Sequence, residues 1–186
     1  FTVSSLLALP GLASAHVGSG SLHGSVLGGF LHPLTGLDHL LALVAIGMWL
    51  AHQQLVTQRV VLPLTLLALV VGTFVGLAGV PLLGVEAVIV SSVIAVGLLI
   101  TLRKQLPFWS AGALVASFML FHGAAHGAEM PASAGMVDYV FGLMLASGLV
   151  LLLSWGLGHS VRKLHQPVSQ MMGVALMLSG GVLVTL

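Results

Sequence analysis

The sequence predicts an all-α integral membrane protein, a bundle of six transmembrane helices. Three observations lead there. Hydrophobic residues make up 58% and charged residues 5% of the 186 positions, with a mean hydropathy of +1.17, whereas a soluble domain carries about 25% charged residues. Six apolar runs approach the roughly 20 residues that a spanning helix needs. All five Lys and Arg fall in alternate connections between those runs, as cytoplasmic loops require.

Taken in order, residues 1–15 (FTVSSLLALPGLASA) combine an apolar centre, the helix-breaking Pro10-Gly11 and the small Ala13 and Ala15. This is the make-up of a secretory signal peptide cleaved before His16; retained, the segment would form a short seventh helix. Residues 16–186 then form one six-helix transmembrane domain. Residues 16–30 are rich in Gly and Ser, include His16 and His23, and read as a flexible approach. Spans are expected at 33–51, 60–79, 85–102, 106–125, 139–157 and 168–186, with connections too short for a separate soluble domain. Pro33 suits the first turn of the first span, where a missing N–H costs little.

Arg59, Arg103, Lys104, Arg162 and Lys163 mark the cytoplasmic connections, and Glu86, Glu129 and Asp138 the outward ones. After cleavage both termini would face the periplasm, with the protein in the inner (cytoplasmic) membrane. The first span starts outside and the fourth ends outside, so polar residues at those two places converge on one face.

Composition also excludes functions. Without cysteine there are no disulfides, thiolate nucleophiles or soft-thiolate metal sites. A net charge of +1 with dispersed basic residues argues against nucleic acid as a partner. No G-x-x-x-x-G-K-[ST] loop is present, so the chain itself does not hydrolyse ATP. The anomaly is histidine, whose nine copies equal all charged residues together.

Four of the nine lie in two stretches, His32-Pro33-Leu34-Thr35-Gly36-Leu37-Asp38-His39 and Phe121-His122-Gly123-Ala124-Ala125-His126-Gly127-Ala128-Glu129. Ionisable groups in apolar runs are costly without partners or a role. Helical positions four and seven apart share a face, so His122, His126 and Glu129 form one stripe, and His32 and His39 are seven apart. Gly123 and Gly127 are a small-x-x-x-small pair that admits another helix closely, and Gly36 offers the same in the first span. A close crossing would gather imidazoles from both spans, with Asp38 and Glu129 offsetting a cation's charge. Nitrogen and carboxylate donors without sulfur suit Ni²⁺, Co²⁺ or Zn²⁺. His52, His159 and His165 read as interfacial hydrogen-bonding residues. Met119, Met136 and Met144 read as packing, and Met130 as packing or a weak ligand. His16 and His23 read either as an ion-capture arm or as plain loop.

HPLTGLDH resembles the H-P-x-x-G-x-D-H motif in the first helix of the HupE/UreJ family of nickel and cobalt permeases, and FHGAAHGAE resembles the family's F-H-G-x-A-H-G-x-E motif in the fourth. Every specified position of both is met, and the similarity extends over essentially the whole chain. The resemblance implies a transport domain that takes up Ni²⁺, or Co²⁺ in some members, to supply hydrogenase, urease or cobalamin synthesis. It implies His32, Asp38, His39, His122, His126 and Glu129 as metal-handling positions, with no prosthetic cofactor. The expected partners are the divalent ion, the lipid bilayer, a periplasmic or outer-membrane metal donor and a cytoplasmic metallochaperone; homo-oligomerisation is left open. Transport would be secondary or facilitated.

Two rivals have specific signatures. H-x-x-x-H followed by Glu resembles intramembrane zinc hydrolases, but in H-E-x-x-H the general base directly follows the first histidine, and here that position is Gly123. A haem carrier would use His39 and His52, thirteen apart on one span, and no second span offers a matching pair.

Overall fold

The computed structural model describes residues 26–163 and 166–184. The signal-like segment 1–15, the capture candidates His16 and His23, and His165 lie outside the described residues. Among the described residues there are seven α-helices and no strand: α1 Val26–Thr35, α2 Leu37–Leu50, α3 Leu55–Leu77, α4 Val85–Thr101, α5 Phe108–Ala128, α6 Met136–Lys163 and α7 Gln166–Leu183. By length and hydropathy α3, α5 and α6 can each cross a membrane, and the α1 and α2 pair, bent by 81°, meets the same test only when its two helices are taken together. The apolar stretches Val85–Thr101 and Pro167–Leu183 are shorter; 17 residues rise about 25 Å against a hydrocarbon core of about 30 Å. Large apolar side chains are exposed on the bundle, among them Met171 and Leu178 of α7, Leu67 and Phe74 of α3, and Phe141 and Leu153 of α6. This is a multi-pass membrane protein.

The first span departs from expectation. Its helix starts at Val26, inside the stretch read as a flexible approach. Pro33 is not in a first turn but near the end of α1, where it denies the helix one i→i−4 bond. Gly36 then takes an extended conformation (φ −81°, ψ 107°) and starts α2. No left-handed backbone calls for glycine there. A methyl group at Gly36 would press on the His39 ring at 3.0 Å and on Asp38 at 3.3 Å, so the missing side chain makes room for the site and not for another helix.

Three seams of close backbone contact hold the bundle together. Gly123 and Gly127 of α5 face α3, where a side chain on either would collide with the carbonyls of Leu69 and Thr73; Gly72 and Gly76 of α3 face back in the same way. The glycine pair therefore meets α3, and not the first span as its motif suggested. The first span has its own seam with α6, through Gly29 against Tyr139 and Gly47 against Ser154. In the third, Gly97 of α4 meets Gly173 of α7. Between the seams lies a core of fully buried Ile46, Met48, Trp49, Val115, Met119 and Leu151.

Charge is segregated along the bundle. Glu86 feels the charges of Asp38 and Glu129 at one end. The basic residues gather at the other, where the turn after α2 is tied to four other parts of the chain. Gln53 donates to the Lys104 carbonyl (3.1 Å) and accepts from the Leu106 N–H (3.0 Å), Gln105 donates to the His52 carbonyl (2.8 Å), and Arg162 donates to the Ala51 carbonyl (3.1 Å). Gln58 donates to the Gln53 carbonyl (2.8 Å). His52 is buried and hydrogen-bonded as expected: its Nδ1–H donates to the Met48 carbonyl (2.9 Å), which leaves Nε2 to accept from the Ser169 hydroxyl (2.8 Å). With both nitrogens engaged, His52 cannot join His39 on a haem.

Candidate metal centre

His32 comes from α1, Asp38 and His39 from the first turn of α2, His122 and His126 from the last turns of α5, and Glu129 caps α5. All six meet at the acidic end. The break at Gly36 lets α1 lean on α6, and His32 reaches Glu129 with Nε2 to Oε2 at 3.0 Å. The imidazoles form a continuous chain. Ring centroids are 4.9 Å apart for His32 and His126, 4.2 Å for His126 and His39, and 5.3 Å for His39 and His122. Only His32 is substantially exposed, its side chain being 29% accessible; His39, His122 and His126 are all buried.

The hydrogen bonds leave donor atoms free in the middle. His122 Nδ1–H donates to the Phe118 carbonyl (2.9 Å), so its lone pair is on Nε2. That Nε2, His39 Nδ1 and His126 Nδ1 are buried and without a hydrogen-bond partner among the described residues. Buried polar atoms are nearly always paired, so three unpaired imidazole nitrogens in one ring cluster stand out. Asp38 braces the cluster, accepting the His39 backbone N–H at Oδ1 (2.9 Å) with Oδ2 at 3.9 Å from His39 Nε2. His32, His126 and Glu129 each offer a ligand atom within 4.8 Å of the others. A first-row divalent ion holds such donors at about 2 Å, so small rotamer changes would close that triad.

Two residues near the cluster were not among the metal-handling positions read from the sequence. Glu86 and Glu129 line an open cavity of about 340 Å³ together with Gly76, Val80, Val85 and Ala125. Tyr139 packs its ring on His32 at 5.8 Å. Neither belongs to a spaced motif; only the N-terminal position of Glu86 in an apolar helix marked it, and Tyr139, the single tyrosine, carried no local signal.

The sequence model of the family described as HupE / UreJ protein matches residues 4–183. The chain belongs to the HupE/UreJ family. Among curated proteins it is similar to "Protein HupE" of Rhizobium leguminosarum bv. viciae, 36% identical over 185 residues that cover 98% of this chain and 95% of the relative. No solved structure matches. Membership in HupE/UreJ, a family associated with nickel and cobalt uptake, places the chain among metal transporters.

Proposed function

We propose that this HupE/UreJ member carries Ni²⁺, or Co²⁺, across the inner membrane by secondary or facilitated transport, and that His32, Asp38, His39, His122, His126 and Glu129 are the residues that handle the ion. Six spans, with the acidic end and both mature termini periplasmic, give the ion its point of arrival. The observation that carries this reading is the trio of buried, unpaired imidazole nitrogens on His39, His122 and His126. A hydrated ion reaching the vestibule between Glu86 and Glu129 meets His32 first, exchanges water for nitrogen at His126, and gains deeper ligands at His39 and His122. Each exchange replaces hydration with protein donors and limits the cost of taking a divalent charge out of water. His16 and His23 would serve as a capture arm, and a metal donor outside and a metallochaperone inside would complete the route. The hydrolase alternative finds no support in the family.

His126 is in ring contact with both His32 and His39, so it is the residue to remove. Radiolabelled Ni²⁺ uptake into cells, with Co²⁺ as competitor, should fall at least tenfold for His126→Ala at equal membrane expression. Accumulation equal to the unsubstituted protein would refute the reading.

A further inference from the structure

Tyr139 lies in the first turn of α6, where its carbonyl rests against Gly29 of α1. This close approach fixes the residue beside the histidine cluster. Its ring contacts His32, and it is near enough to Glu129 to feel that charge. The residue is 1% exposed, yet its hydroxyl has no hydrogen-bond partner among the described residues. A buried tyrosine hydroxyl normally finds a partner. An unpaired one beside His32 and Glu129 indicates a partner that arrives with the ligand.

We infer that the Tyr139 hydroxyl is a positioning group of the metal centre, donating a hydrogen bond to a water molecule in the coordination shell of the divalent ion held by His32, His126 and Glu129. A neutral phenol is a poor ligand for such an ion but a good hydrogen-bond donor. Oriented water keeps part of the ion's hydration while imidazoles replace the rest, so the ion can be bound firmly at the mouth and still move deeper. Outer hydrogen bonds of this kind alter metal affinity by about 10–100-fold. The inference rests on the metal-carrier reading above.

The test is Tyr139→Phe in the full chain purified in detergent, titrated with Co²⁺ by visible absorption and melted separately in chelator. The Kd for Co²⁺ should rise about tenfold. The Tm in chelator should hold or rise, since the substitution removes a buried unpaired hydroxyl and nothing else. The Co²⁺ band positions at saturation should not move, because the atoms that touch the ion are unchanged. In a His32→Ala background the same substitution should cost less than twofold, showing that the two act on one ion. An unchanged Kd, a Tm in chelator that drops in step with affinity, or a full additive loss in the His32→Ala background would each overturn the assignment. Absence of Co²⁺ binding by the unsubstituted protein would defeat the carrier reading and this inference together; tight binding in both proteins would defeat this inference alone.

Discussion

At the residue scale the site is governed by competition for imidazole lone pairs. A proton and a metal ion use the same nitrogen, and the proton gains as pH falls. On the carrier reading, Asp38 beside His39 and Glu129 on His32 would offset the two charges of an incoming ion. The six motif residues were legible in sequence because His122 and His126 are one turn apart and Asp38 adjoins His39. Tyr139 was not, because its position depends on how α6 lies against α1, which no local pattern specifies.

At the scale of elements, the seams decide which helices can be perturbed. Gly123→Val would drive a side chain into the Leu69 carbonyl and the Thr73 backbone, and such overpacking costs about 1–3 kcal/mol or more where backbone is the obstacle. Gly156→Val in α6 meets nothing within 4 Å and should be neutral. Thermal unfolding of both variants in detergent tests the contrast, and equal Tm values would mean that the α3 to α5 seam is not tight. The helices themselves were legible from their apolar runs, since a membrane leaves few other ways to satisfy the backbone. Their pairing was not. Small residues announce a close approach without naming the partner, which is why Gly123 and Gly127 were expected against the first span and are found on α3. The break at Gly36 was hidden for a related reason, because Pro33 alone fits either the start of a helix or the end of one.

At the scale of the whole molecule, acids and bases lie at opposite ends, and the positive-inside rule turns that polarity into an orientation. The chain has no cysteine, so single cysteines can report it cleanly. An impermeant maleimide should label Leu83→Cys, 92% exposed between α3 and α4, in intact cells, and Lys104→Cys, on the exposed α4 to α5 connection, only in inverted membranes. The reverse pattern would turn the histidine cluster toward the cytoplasm. At the basic end, the bonds that converge on residues 51–54 tie this turn to the 104–106 connection, Arg162 of α6, Gln58 of α3 and Ser169 of α7.

The glycine seams bear on this last point. α2 is fastened to α6 and α5 to α3, so the imidazoles of His39 and His126 face each other across a joint between two fastened pairs. On the carrier reading an ion held there would bridge the two pairs at the acidic end, while the hydrogen bonds of the turn after α2 join them at the basic end.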